Sequence, residues 1–375
     1  MKICTISIIY PRESKPAFGN MVFNKDQELA KQGHSVYTLT TGDPSMKRDE
    51  VINGVNIKRI VLCSDITSIS CGILFSLKCA KELIRLNKKI GFDAVHSHFV
   101  GIVTIVIGFI CRFIIKKPFV LTSHGTSWEL PKKNIIKNFL IKLSLFFPNK
   151  IIAVSRATKE LLSYNTNKDK IAIIPSGVNT YNMKPDTPEN LFKKQLNISN
   201  KKVLLTVCNL VEKKGVDVIV SVIPNLVKKF PNLIYIIIGE GPEKPKLIDL
   251  VERLNIKKHV IFETYKKGRK LANFYNICDI FVLMSRTTKE GIESFGVVYI
   301  EASYFGKPVI GGKGGGTSDA IEDRKSGYLV DANHPEELER KLEYLLKNPG
   351  ARKRIGEYGR KRAIKLFLWR GLARQ

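Results

Sequence analysis

Acidic residues are scarce in this chain of 375 residues: 34 Asp and Glu stand against 62 Lys and Arg, for a formal net charge of +28. The excess is not a tail, since residues 1–170 hold 26 basic and 12 acidic side chains and the remainder 36 and 22. Such a balance suits an anionic partner, whether nucleic acid, an acidic membrane face or phosphorylated small molecules, or it is a compositional habit of the source genome. No aromatic-basic platform or reader motif accompanies the charge, so nucleic acid is not an expected partner. Cysteine offers no framework either: Cys4, Cys63, Cys71, Cys79, Cys111, Cys208 and Cys278 form an odd set without a Cys-x-x-Cys pair. Most of them sit in apolar runs and read as buried thiols of a reducing cytoplasm. Also absent are an Asp-x-Asp pair for a metal, a repeat of fixed period and a signal-peptide h-region, the chain entering a strand at once with Lys2 to Ile9. The longest apolar run, Phe99 to Cys111, is too short for a bilayer span of about 20 residues. It is read as a buried core helix.

Strand and helix signals alternate from the start, which predicts parallel sheets built from βαβ units. Ile3–Ile9, His34–Thr40, Ala94–His96, Pro118–Thr122, Ile151–Val154 and Ile171–Ile174 read as strands, with helices over Asn20–Gln32 and Cys71–Asn87. Composition turns polar from about residue 180 to Asn200. A second series follows, with strands at Lys202–Val207, Leu233–Ile238, Val260–Phe262, Ile280–Met284 and Val309–Ile310, and a closing helical region from Pro335. The expectation is two doubly wound halves, residues 1–180 and 181–355, facing across a cleft with ligands at the carboxyl ends of the strands. Residues 356–375 are expected as a short C-terminal helix crossing toward the first half.

The most informative segment is Glu293-Ser-Phe-Gly-Val-Val-Tyr-Ile-Glu301, followed by Ala302-Ser-Tyr-Phe-Gly-Lys-Pro-Val-Ile310 and the glycine cluster Gly311 to Gly316. It sets two carboxylates eight residues apart around a loop-to-helix junction, with a buried strand and a second glycine-lined helix start behind. Helix N-termini carry unsatisfied N–H groups and partial positive charge, and two together suit a diphosphate. Each piece alone has a bland reading, as surface charge or turn glycine; the order of the whole string does not. This string resembles the donor site of retaining glycosyltransferases of family 4, the group 1 enzymes with the GT-B fold of two Rossmann-like domains.

The resemblance covers nearly the whole chain and implies roles. Gly19, in Pro16-Ala-Phe-Gly19, would lie against the donor phosphates and sugar. His124, in Thr122-Ser-His-Gly125, would reach the donor sugar and help polarise a hydroxyl. His98 and Arg156 would belong to the acceptor side, although a helix-start arginine is more often a surface charge. In Cys208-Asn-Leu-Val-Glu-Lys-Lys-Gly215, Lys214 matches the lysine that meets the diphosphate, whereas Asn209 stands where an arginine is usual and Lys213 is a candidate for compensation. Gly241 would approach the donor and Tyr265 the nucleotide base. Glu293 would sit by the sugar ring, with the amides of Phe295 and Gly296 on its hydroxyls or the phosphate. Glu301 would accept from the ribose, and Gly315, Gly316 and Thr317 would open the last phosphate-facing helix. Lys214 and the helix amides would stabilise the leaving phosphate. His96 and His98 could project on one face, but nothing in the sequence completes a metal site with them.

The implied donor is a nucleotide-diphosphate sugar such as GDP-mannose or a UDP-hexose, with no metal or other cofactor. The implied acceptor is a glycan or lipid-linked sugar of cell-surface polysaccharide or lipopolysaccharide synthesis. Pro131 to Phe147 alternates basic and apolar residues, with Ile136, Phe139, Leu140 and Leu143 on one helical face flanked by Lys133 and Lys137. That pattern fits a helix on an anionic leaflet, hence a cytoplasmic protein peripheral to the plasma membrane, and equally a core helix with a basic edge. The competing functions are a nucleotide-sugar epimerase, a glycoside phosphorylase and a non-catalytic relative of the same fold.

Overall fold

The computed structural model describes residues 1–11, 20–61, 69–98, 100–125, 135–180, 183–289 and 291–375. The chain divides into two units, Met1–Ser176 with Leu372–Gln375, and Gly177–Gly371. Gly19, Cys63 and the start of the Pro131–Phe147 segment lie outside the described residues.

The first unit runs β1 (Lys2–Ser7), α1 (Asn20–Lys31), β2 (Ser35–Gly42), β3 (Asp49–Ile52), β4 (Val55–Val61), α2 (Ile69–Ile90), β5 (Ala94–His98) and α3 (Ile102–Phe109). It continues with β6 (Phe119–Ser123), α4 (Ile135–Phe146), β7 (Lys150–Ala153), α5 (Arg156–Ser163) and β8 (Ile171–Ile173). Its sheet order is β3-β4-β2-β1-β5-β6-β7-β8. All neighbours are parallel except the β3–β4 hairpin, which the helix-strand reading of the sequence passes over. The hairpin signal was present: Asn53 and Gly54 both take positive φ, as a two-residue primed turn demands.

The second unit holds α6 (Glu189–Gln195), β9 (Lys202–Val207), α7 (Val216–Lys229), β10 (Leu233–Ile238), α8 (Lys244–Arg253), β11 (Val260–Glu263), α9 (Gly268–Ile277) and β12 (Ile280–Leu283). Then come α10 (Val297–Tyr304), β13 (Val309–Gly312), α11 (Thr317–Ala320), β14 (Gly327–Val330), α12 (Pro335–Lys347), α13 (Pro349–Leu366) and α14 (Trp369–Leu372). The sheet is all parallel in the order β11-β10-β9-β12-β13-β14. Every residue of β10, Leu-Ile-Tyr-Ile-Ile-Ile, is buried, because helices cover both faces of a parallel sheet. Strand order reverses between β9 and β12 here, and between β1 and β5 in the first unit, opening a crevice at the carboxyl ends of those strands.

Two expectations need amendment. The run 100–111 is buried or half-buried except at Phe109, which is exposed, and from Ile110 α3 passes into a wide turn to Ile114 that leaves Phe113 and Ile114, just beyond the run, exposed as well. The closing region is also organised differently, since α13 runs unbroken through position 356.

Helix α13 packs tightly along the end of α10 because Gly356 has no side chain: a Cβ there would strike the carbonyl oxygen of Gly306 and lie 2.7 Å from its carbon. Helix propensity alone favours Ala over Gly by about 1 kcal/mol. Gly356→Ala is nevertheless expected to destabilise the protein by roughly 1–3 kcal/mol, read as a lower urea midpoint at unchanged slope; a raised midpoint would show that α13 has room to move.

Candidate functional site

At the end of β9 the chain makes a single 3-10 turn, Glu212–Lys214, closed by Gly215 at φ +60°. The Arg286 amide, just beyond β12, donates to the Lys213 carbonyl at 2.8 Å and ties that turn to the neighbouring strand end. Lys214 is thereby aimed at the β12–α10 loop. Its Nζ donates to Oε2 of Glu293 at 2.5 Å, and Ser285 Oγ donates to the same oxygen at 2.8 Å. The side chains of Lys214 and Glu293 are only 16% and 10% exposed. Burial pushes Glu293 up, but the Lys214 charge, the two hydrogen bonds and Lys213 outweigh it and hold the carboxyl below its ordinary range. Burial likewise works against the Lys214 ammonium, and Glu293 overcomes it to raise Lys214 above the usual lysine range. Both charges persist at neutral pH because each has the other.

The glycines behind Glu293 serve this pair. The Gly316 amide donates to the Glu293 carbonyl at 2.7 Å. Side chains at Gly315 and Gly316 would strike the carbonyl oxygens of Glu293 and Ser294, so backbone lies directly on backbone. Thr317 opens α11, a single turn of four residues. Gly296, at φ +82°, starts α10, and Phe295 beside it is buried against Phe367. One helical face further, Glu301 accepts from Tyr275 Oη at 2.7 Å. Burial pushes the Glu301 carboxyl up to about 7 against the pull of that bond. Tyr265, 38% exposed, lies close enough for Glu301 to help burial push its hydroxyl up to about 12. Gly241, after β10, packs its backbone against Leu210, whose carbonyl accepts from the Glu243 amide at 3.0 Å. Asn209 is exposed beside the Lys214 turn. The second unit therefore brings Asn209, Lys214, Glu293, Phe295, Gly296, Gly315, Gly316 and Thr317 to the ends of β9, β12 and β13, with Glu301 and Tyr265 adjoining.

In the first unit a buried polar network occupies the other crevice. Lys25, on α1, lies 3.0 Å from Asp26 Oδ1, 3.1 Å from His96 Nδ1 and 3.1 Å from His98 Nε2. Asp26, fully buried, accepts from Thr5, Tyr10 and Thr38. His98 Nδ1 is 3.0 Å from His124 Nε2, and the three imidazoles stack, their centroids 4.5 and 5.3 Å apart. His98 is thus an interior residue that touches His124. Arg156 stands exposed as the first residue of α5, behind the N-cap Ser155. Among the described residues no group of three or more His, Cys, Asp or Glu side chains is arranged to hold a metal ion.

Sequence reasoning missed Ser285, Tyr275, Lys25 and Asp26. A lone serine or tyrosine in an apolar stretch carries no signal, but Lys25-Asp26 interrupting the buried face of a helix was visible as an anomaly.

Residues 188–362 match the sequence profile of "Glycosyl transferases group 1", and residues 19–181 that of "Glycosyltransferase Family 4". An uncharacterized glycosyltransferase of Methanocaldococcus jannaschii is 25% identical over all of this chain and 96% of its own length. The GDP-mannose-dependent alpha-(1-6)-phosphatidylinositol monomannoside mannosyltransferase of Mycolicibacterium smegmatis is 28% identical over 52% of each chain. The crystal structure of Anabaena Alr3699/HepE in complex with UDP and glucose superposes with a TM-score of 0.80, covering 100% of this chain and 98% of that one at 17% identity.

Removing one partner of the Lys214–Glu293 pair leaves the other charge buried, a loss of about 3 kcal/mol. A carboxyl held low by folding contributes stability above the range where free Glu ionises and loses it as pH falls. In Lys214→Met, burial of Glu293 is opposed only by Ser285 and Lys213, so the sign should reverse: the variant should lose stability as pH rises from about 4 to 8 while wild type does not. Parallel pH dependences in urea titrations would refute the pairing.

Proposed function

The chain belongs to glycosyltransferase family 4, the group 1 glycosyltransferases of GT-B fold, and from that premise we propose a retaining, metal-independent hexosyl transfer. The donor is a nucleotide-diphosphate sugar, GDP-mannose or a UDP-hexose. The acceptor is a growing glycan or a lipid-linked sugar in the synthesis of cell-surface polysaccharide or lipopolysaccharide. The observation that carries this reading is the Lys214 ammonium held at the ends of β9 and β12, beside two glycine-lined loops that lead into helices. As the anomeric bond breaks, negative charge grows on the diphosphate, and a preorganised cation in a poorly hydrated site lowers the barrier. Lys213, whose Nζ reaches the Ile292 carbonyl at 3.5 Å, supplies a second positive charge near Asn209, where the family commonly has arginine. Glu293 has its Oε2 occupied by Lys214 and Ser285, which favours a role as a hydrogen-bond acceptor for the sugar over that of a displaced nucleophile. Retention then follows from front-face attack, the leaving phosphate taking the acceptor's proton. We assign His124 to the donor sugar, and Glu301 with Tyr265 to the nucleoside.

A surface on the first unit supports a peripheral membrane location. Helix α4 sends Ile141 and Leu145 into the core yet leaves Ile135 (83%), Ile136 (73%) and Phe139 (62%) exposed. Arg112 lies over the rings of both Phe113 and Phe146, and Phe109 packs on Phe113, which joins α4 to the turn after α3 in one aromatic patch. Exposed apolar rings mixed with cations suit the headgroup layer of an anionic leaflet. Among the described residues no helix is long and apolar enough to cross a membrane.

Calorimetry with GDP, UDP and ADP and their sugar conjugates tests the donor site. One nucleotide should bind selectively, and Lys214→Ala should lower kcat/KM for donor turnover by about 100-fold; no binding by any nucleotide would sink the proposal. Because ribose hydroxyls donate to an ionised carboxylate, binding should tighten as pH rises through about 7. In Glu301→Gln the part of that dependence not due to the nucleotide's own phosphate should vanish. Phe113→Asp with Phe139→Asp should weaken sedimentation with anionic vesicles by at least about tenfold and leave nucleotide affinity unchanged. Unaltered sedimentation would remove the membrane role from this face.

A further inference from the structure

The buried network of the first unit contains a one-way ordering of protons. An ammonium group only donates, whereas a neutral imidazole donates from one nitrogen and accepts at the other. His96 Nδ1 and His98 Nε2, each 3.1 Å from Lys25 Nζ, must therefore be the accepting nitrogens. The proton of His96 then lies on Nε2, where it meets Thr122 Oγ1 at 2.7 Å. The proton of His98 lies on Nδ1, so His98 donates to His124 Nε2 at 3.0 Å. This contact uses the Nε2 lone pair of His124 and leaves its own proton on Nδ1.

We propose that Lys25, anchored by Asp26, is a positioning residue that acts through His98 to fix His124 as a neutral Nδ1–H tautomer. In that state His124 can donate a hydrogen bond but has no lone pair with which to take a proton from a substrate. The inference rests on the assignment of His124 to the donor sugar and deepens it: His124 is a hydrogen-bond donor in the reaction and not its general base. The surroundings agree. Burial first, and then the Lys25 charge, holds all three histidines below the ordinary range, His124 down to about 4, so none is an imidazolium at neutral pH. Asp26, bonded to Thr5, Tyr10 and Thr38, keeps the Lys25 charge in place without touching the rings.

The test is long-range proton–nitrogen correlation NMR on the full chain labelled with 15N-histidine, whose six histidines are distinguished by single substitutions. In wild type His96 should carry its proton on Nε2, and His98 and His124 theirs on Nδ1, unchanged between about pH 6 and 8. An Nε2–H His124, or an imidazolium in that range, overturns the proposal. In Lys25→Met the His98 and His124 signals should move to mixed tautomers, and donor turnover should fall on the order of tenfold at unchanged donor KM. Lys25→Arg should restore the tautomers. Single tautomers retained in Lys25→Met would remove Lys25 from the role. If that variant does not fold, because Asp26 is left buried alone, Lys25→Met with Asp26→Asn removes both charges and is read the same way. Nucleotide binding separates this inference from the proposed function. Binding with the wrong His124 tautomer defeats only the proton ordering, whereas the right tautomer without any nucleotide binding defeats the donor site and with it the part of His124 in the reaction, leaving only the ordering by Lys25.

Discussion

A lysine charge held in a poorly hydrated crevice is the constraint on which the chemistry of this protein depends. Lys214 and Glu293 are too buried for either charge to stand alone, and each keeps the other ionised. Such a pair contributes little net stability, since desolvation offsets most of the Coulomb attraction. Its worth is positional. A cation that is already dehydrated and aimed needs little reorganisation when negative charge develops beside it, as the proposed diphosphate leaving group requires.

The glycines follow from the same requirement. The resemblance gives Gly315 and Gly316 a place at the start of a phosphate-facing helix. The structure supplies a reason internal to the protein: these residues let the loop after β13 lie on the backbone of Glu293 and Ser294, and the Gly316 amide holds the Glu293 carbonyl. The loop therefore positions the carboxylate as well as leading into a helix. Backbone contact this close leaves no freedom to slide, so the lysine finds its partner at a set distance.

The two units share a device. Each has a lysine at the point where strand order reverses, Lys25 beside β1 and β5, Lys214 beside β9 and β12, and each lysine is neutralised by one carboxylate. Their burial differs in purpose. Lys214 meets a carboxylate at the carboxyl ends of the strands, where a ligand is proposed. Lys25 is enclosed by Asp26, Thr5 and two imidazoles, so its effect is to order protons and not to bind an external anion.

Most of the architecture was legible in the sequence, because parallel strands covered on both faces must be continuously apolar and helices between them must repeat every three to four residues. The order Glu293, Phe295-Gly296, Glu301, Gly315-Gly316 located the candidate site for the same reason: these elements are local, and their spacing survives in one dimension. What the sequence could not determine was which polar groups meet. Ser285 and Tyr275 look like ordinary members of apolar segments until Glu293 and Glu301 are beside them. Phe113 and Phe146, 33 residues apart, become one surface only when α4 packs by α3. Residues His96, His98 and His124 were visible singly, yet their protonation depends on Lys25, about 70 to 100 positions earlier in the chain. Propensity and periodicity are short-range, so composition and pattern settled the fold; distances between side chains on different strands, and with them charge states and tautomers, were decided only when the sheets assembled.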